Sequence, residues 1–200
     1  MDFVKILTEF KAHFGKDPVL VRSPARINII GEHTDYNDGF VMPAAIDREI
    51  IFAIAANNLG KARVFASDLG ETDEFEINST IAHPQKTWSN YLRGVLNGLK
   101  MKGIHLEGFD MVFGGNIPPG AGLSSSAALE GGIGIALKGL FKFEIPLMEL
   151  AKIGQKAEHE YVGVKCGLMD QFANLFGQKD RVMKFRSEEH TSELQSPNTI

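Results

Sequence analysis

The chain has 200 residues, of which 44% are apolar and 23% charged, and a net charge of −4, the make-up of a soluble globular domain with one good core. No Lys/Arg cluster or basic stripe is present, which argues against a nucleic-acid partner, and no run approaches the ~20 apolar residues of a membrane span. Cys166 is the single cysteine, so an intrachain disulfide and a CxxC metal pair are both ruled out.

The opening MDFVKILTEFKAHF sets Phe3, Ile6, Leu7, Phe10 and Phe14 at helical spacing and predicts a helix over 2–14 with Gly15 as its C-cap. Charges interrupt any apolar run there, so it is no secretory signal, and a cytoplasmic protein is expected. Residues 19–30 read as strand broken at Pro24. GEHTDYNDGF is a polar loop with a turn at Asp38-Gly39. The β-rich runs 46–57 and 61–67 flank NNLGK, which reads as a hairpin connection, and 73–77 is a further short strand. A helix is expected over 88–101 and a strand over 109–116. The Gly/Pro-rich loop GGNIPPGAGLSSS then leads into a helix near 124–140. Helices over 147–162 and 168–176 follow, and VMKF at 182–185 is short and apolar. Strands early and helices late predict an α+β fold, a mixed or antiparallel sheet packed with helices.

Residues 187–200 are polar and aperiodic. RSEEHTSELQS is similar to the in-frame translation of a sequencing-adapter oligonucleotide, so the tail is set aside from fold reasoning as an artefact; a natural disordered terminus is the alternative.

Three stretches carry chemistry. In the first, Gly114 to Glu130, glycines let backbone approach a ligand, and the loop feeds a helix whose first turn holds Ser124, Ser125 and Ser126. Unpaired amides and the macrodipole make such a helix start an anion site. A serine-capped Gly-rich turn is the plainer reading, and the absence of a Gly-Lys-Ser/Thr ending excludes a Walker A loop. In the second, SPARINIIGEHTDYNDGFVMPAAID, a cation, two carboxylates and an imidazole (Arg26, Glu32, Asp35, His33) fall within ten residues. Such groups bond several hydroxyls at once, whereas the spacing fits no standard zinc pattern. A capped, solvated turn is the alternative. In the third, GQKAEHEYVGVKCGLMDQFANLFG, Glu158 lies on a helix and Asp170 opens another, where an acid is often only a cap or dipole partner.

All three resemble motifs of one family, in family order. PxGAGLSSSA resembles the ATP loop of the GHMP kinases, the second run resembles the galactokinase signature GRxNxIGEHxDYNxGxVxPxAI, and the third resembles that family's AExxxVGxxCGxMDQ segment. One departure is Ala25, where the family has glycine. The resemblance covers residues 1 to about 185 and implies a GHMP-kinase N-terminal domain of the ribosomal S5 domain 2-like fold, without the family's second half. That loss implies exposed apolar surface and an inactive 200-residue product.

The resemblance further implies ATP-dependent phosphorylation of galactose at its C1 hydroxyl, with Mg2+. Asp170 would face that hydroxyl, with Arg26 beside it and beside the transferring phosphoryl group. Glu32, His33, Thr34 and Asp35 would bind the sugar, and the backbone of Gly167 would approach it. Gly120, Ala121, Gly122, Leu123, Ser124, Ser125 and Ser126 would wrap the phosphates, Ser67 would lie near the base, and Ser126 and Glu158 would hold Mg2+. Cys166 is expected as a packed small residue. The full-length protein is expected to be a monomer. A kinase for a related sugar such as N-acetylgalactosamine, and a non-catalytic sugar sensor on the same fold, are the alternatives.

Overall fold

The structure, a computed structural model, describes residues 3–31, 39–79, 81–118 and 120–186. The elements in order are α1 (Phe3–Phe14), β1 (Val19–Asn28), β2 (Phe40–Val41), β3 (Pro43–Ala56), β4 (Lys61–Ala66), β5 (Glu71–Glu76), α2 (Thr87–Met101), β6 (Phe109–Gly115), α3 (Ser125–Phe141), α4 (Leu147–Ala157), a π-helical turn (Glu158–Val162), α5 (Met169–Phe176) and β7 (Phe185–Arg186). The tail beyond 186, the Asp38 half of the Asp38-Gly39 turn, and Glu32, His33, Thr34 and Asp35 lie outside the described residues.

Five strands form a mixed sheet in the order β1-β3-β6-β4-β5, antiparallel except where β4 runs parallel to β6. The predicted α+β class is what forms. β3 shows why this sheet is sandwiched. Its odd positions Ile51, Ala53 and Ala55 pack with Ile6 and Phe10 of α1 on one face, and its even positions Ile50, Phe52 and Ile54 join the larger core under α2, α3 and α4 on the other. Period-2 alternation with apolar residues on both faces is the signature of a strand covered on both sides. Gly15, at φ 66°, ends α1 as expected, its N–H reaching Lys11 O at 2.9 Å. Among the described residues no helix is long and apolar enough to cross a membrane.

One expected pairing is corrected. β3 and β4 are not a hairpin, because β6 lies between them. Residues 57–60 instead bridge two strand spacings, about 10 Å. The bridge turns on Asn57, whose Oδ1 accepts the Leu59 N–H at 2.9 Å and whose Nδ2 donates to Lys61 O at 3.2 Å and to Asp110 Oδ1 at 2.8 Å. The choice of central strand follows burial. Residues 109–114 of β6 are all buried, whereas β5 alternates exposed acids with buried Asp73 and Phe75 and suits an edge. The one ion in the middle of β6, Asp110, is fully buried. Lys16 (2.6 Å) and Arg63 (2.7 and 2.9 Å) hold it on the α1 side of the sheet.

α3 approaches the sheet unusually closely. A Cβ at Gly132 would lie 2.1 Å from the Phe52 ring and 2.8 Å from Ser23 Cβ, so a glycine there sets the distance between α3 and strands β1 and β3. At the far end of the chain, β7 pairs with β2, and the Met183 N–H reaches Pro43 O at 3.0 Å. The apolar 182–185 run thus returns to the start of β3 and packs with Phe172 and Ala173 of α5.

Candidate active site

Arg26 stands at an irregularity in the β1–β3 ladder. Pro24 faces Glu49 but Arg26 faces Ala45, so the single residue Ala25 spans three residues of β3. Such bulges bend a strand and re-aim a side chain. The Pro24 break predicted in β1 is therefore a bulge within a continuous strand. Ala25 is buried at negative φ, so alanine occupies this position without backbone strain.

The aimed guanidinium reaches across the fold. Its Nε donates to Asp170 Oδ1 at 2.7 Å and its Nη2 to Asp170 Oδ2 at 2.6 Å, a bidentate fork. Nη1 donates to Gly122 O at 2.6 Å, and the Arg26 backbone N–H reaches Leu123 O at 3.3 Å. One side chain therefore ties together β1, the glycine loop and the first turn of α5. The pair is partly shielded, with 12% and 22% of the two side chains exposed.

The loop gains its shape from alternating left-handed residues. Gly120 and Gly122 both have φ of +69°, yet a Cβ on either would meet nothing within 4 Å. Glycine is there for conformation, not for room. Ser124 continues the pattern at φ 58°, ψ 56° as the residue before α3, and it makes no side-chain cap. A serine held left-handed stores about 1–3 kcal/mol and marks an over-determined position. Its hydroxyl donates to Asp170 Oδ2 instead. The helix begins at Ser125, so the expected capping serine is turned away from the helix and toward the aspartate. Ser125 is exposed and Ser126 half-buried, both on the first turn of α3, where amides lack intrahelical partners.

Glu158 is the first residue of the π turn that continues α4; such turns re-aim side chains at functional sites. It is 6% exposed. Its Oε2 accepts from Gln171 Nε2 at 3.0 Å and from Cys166 Sγ at 3.2 Å. The helix predicted over 147–162 is thus α to 157 and π beyond. The segment to α5 is fixed from below. Gln155 Nε2 donates to Cys166 O at 3.1 Å, and the Cys166 N–H donates to His159 Nε2 at 3.1 Å. Gly167 is buried in that segment, three residues before Asp170. Burial, then the charge of Glu158, push the Cys166 thiol well above its ordinary range, which disfavours the thiolate that a nucleophile needs.

Two further polar residues were not foreseen. Gln171 Nε2 also donates to Glu130 Oε2 at 3.0 Å, and Gln171 and Glu130 are each 1% exposed. Burial, then the charge of Glu158, raise the Glu130 carboxyl well above the usual carboxylate range. The same burial and the same two glutamates lift the Tyr91 phenol to about 12. An acid set in the apolar run AALEGGIGIAL was the available signal.

Ser67 stands apart from this cluster. It follows β4, its N–H reaches Phe113 O at 2.8 Å, and its Oγ is buried with no partner among the described residues. A Cβ on Gly114 would lie 3.0 Å from Ser67 Cβ, so Ser67 borders the strand end from which the glycine loop departs. Residues 32–38 are outside the described set, but their base is pinched. The Ile29 N–H reaches Met42 O and the Met42 N–H reaches Ile30 O, each at 3.0 Å.

A mixed sheet with α3 seated on it and packed against helices matches the fold of the GHMP kinase N-terminal domain. The model of the GHMP kinases N-terminal domain matches residues 90–178. The galactokinase galactose-binding signature matches residues 8–56, which makes the galactokinases the branch this chain resembles. Galactokinase of Lactococcus lactis, solved in complex with galactose, is 36% identical with a TM-score of 0.87, over 92% of this chain and 49% of that one. Methanococcus jannaschii mevalonate kinase (22% identical, TM-score 0.73, 87% and 55% covered) and Streptococcus pneumoniae phosphomevalonate kinase (15%, 0.67, 84% and 50%) share the fold. The chain spans about half the length of these relatives.

Proposed function

We propose that this chain is the catalytic-loop half of a galactokinase, which transfers the γ-phosphoryl group of ATP to the C1 hydroxyl of galactose. The observation that carries the reading is the Arg26–Asp170 fork at the mouth of the glycine loop. Phosphoryl transfer is mostly positioning and charge stabilisation. An aspartate held by two guanidinium N–H groups and one hydroxyl keeps a fixed orientation, able to accept or orient the proton of an attacking alcohol. Arg26, anchored to the loop through Gly122 O, puts positive charge where phosphoryl oxygens develop charge. Residues 120–126 offer the phosphates backbone amides and hydroxyls, and Ser67 borders the base. In this reading the sugar's hydroxyls fall to Glu32, His33, Thr34 and Asp35, and the Gly167 backbone approaches the sugar.

Ser126 and Glu158 are hard oxygen donors, a hydroxyl and a carboxylate, and this donor type suits Mg2+ shared with substrate phosphates. When bound, Mg2+ would neutralise charge on the phosphate oxygens. Glu158 is held on one oxygen by its protein neighbours, which pre-orients it for that task.

The test is a sugar panel with coupled detection of ADP, run on the full-length gene product with galactose, N-acetylgalactosamine, glucose and mevalonate. Preference for galactose by kcat/KM supports the reading. Preference for N-acetylgalactosamine moves it to the related sugar, and galactose binding without ADP release replaces it with a sensor.

A further inference from the structure

Gln171 and Glu130 are buried polar residues to which the chemistry above gives no task. Their geometry is specific. One amide nitrogen serves two carboxylates from different elements, Glu130 Oε2 on α3 and Glu158 Oε2 on the π turn, both at 3.0 Å. An amide carries two N–H groups, so this nitrogen is fully used. The reverse orientation of the amide would set its carbonyl oxygen against two acceptor oxygens, so the two glutamates together fix which way Gln171 points. Gln171 in turn takes one oxygen of Glu158, the same one that the Cys166 thiol takes. Glu158's other oxygen is bound by neither donor.

The deeper end of the relay is also informative. Glu130 Oε1 and Gln171 Oε1 are both buried and lack a partner among the described residues. Unsatisfied buried acceptors are costly, about 1–3 kcal/mol each, and a core position of this size is more stably filled by an apolar residue. Their presence directly behind the Glu158 carboxylate calls for a reason. Gln171 also adjoins Asp170 on the first turn of α5, so the orientation of its amide and the Arg26 fork are set by one helix start.

We infer that Glu130 and Gln171 are positioning residues that hold Glu158 by one oxygen and thereby present the other to a divalent cation. This rests on the kinase reading above. Glu130 touches no substrate; it acts by keeping the Gln171 amide turned toward Glu158. Outer partners of this kind are commonly worth about 10–100-fold in metal affinity.

The experiment titrates Mn2+ into the full-length gene product with ATP present and reads bound Mn2+ by electron paramagnetic resonance, with thermal melts on every variant. Gln171→Met is expected to weaken Mn2+ binding about tenfold or more and Glu130→Met several-fold. Glu130→Gln is expected to keep the wild-type value within about twofold, because its amide oxygen still accepts from Gln171 Nε2. Should a Met variant fail to melt cooperatively, Gln171→Asn, polar but too short to reach Glu158, is expected to show the same loss. Folded Met or Asn variants with wild-type Mn2+ affinity would overturn the relay, as would Glu130→Gln binding as weakly as Glu130→Met. Wild-type full-length protein that takes up no Mn2+ beyond that held by ATP, with Glu158→Gln indistinguishable from it, would overturn the underlying kinase reading and the relay with it.

Discussion

Asp170 receives the Nε and Nη2 donors of the Arg26 guanidinium from 144 residues away in sequence, and Nη1 of the same group donates to the carbonyl of Gly122. The pair is therefore a three-way joint among β1, the glycine loop and α5, and its removal acts on geometry as well as on charge.

Replacing Arg26 by alanine is expected to lower kcat of the full-length enzyme by about 100-fold or more, the scale of a lost charge-stabilising donor, with a smaller change in KM for galactose. Arg26→Lys should recover little of this, because a single ammonium cannot make the fork. Steady-state kinetics decide the matter, and an effect confined to KM would contradict it.

Asp170→Asn should remove turnover and leave galactose affinity within a few-fold of wild type, measured by calorimetry. The amide fills the same volume but neither accepts an alcohol proton nor matches the two-donor face of Arg26. Near-normal kcat in this variant would exclude the role given to Asp170.

Ser124 separates strain from contact. Ser124→Gly relieves the left-handed backbone but deletes the hydroxyl bonded to Asp170; Ser124→Ala deletes the hydroxyl and keeps the strain. The glycine variant is expected to be the more stable of the two by roughly 1 kcal/mol, with both equally impaired in kcat. Urea melts and kinetics of the pair would show it, and equal stabilities would mean the backbone there is unstrained.

Gly132→Ala is expected to destabilise the domain by about 1–3 kcal/mol, since the new methyl would meet Phe52 and Ser23 far inside contact distance. A shift of α3 would carry the glycine loop with it, so nucleotide affinity should fall alongside the denaturation midpoint.

Asp110 predicts an acid limb of stability. Burial alone would raise its carboxyl, but hydrogen bonds from Arg63, Lys16 and Asn57 outweigh burial and hold it below 3.8. A group depressed in the folded state contributes stability that is present above its unfolded value and lost as pH falls through the folded one. Wild-type stability should therefore drop below about pH 4, and Asp110→Asn should be less stable at neutral pH with a flatter acid limb. Denaturant midpoints from pH 3 to 7 measure both.

The helices and most strands were legible because they rest on local signals: apolar spacing at 3, 6, 7, 10 and 14 for α1, Gly15 at its end, the continuous apolar run of β3. The joining of Arg26 to Asp170 was legible only through motif resemblance, since nothing in local pattern reports a contact across 144 residues. The β3–β4 hairpin was misread for the same reason: a short polar connection looks alike whether it turns to the next strand or to the one beyond. Ser124 read as one of three helix-start hydroxyls, because a left-handed serine leaves no mark in composition. Gln171 and Glu130 each sat inside a recognised stretch, but their shared amide depends on α3, the π turn and α5 meeting.

The place of β6 between β3 and β4 has a consequence for how the molecule assembles. The two strands nearest each other along the backbone cannot zip together; each must leave a vacancy that only a later segment, past α2, can occupy. Synthesis must therefore run about fifty residues past β4 before the sheet can close, and until then two apolar flanks wait unpaired. Ordering should arrive in one late cooperative step, and the nascent chain is most vulnerable to clumping just before residue 115 leaves the ribosome.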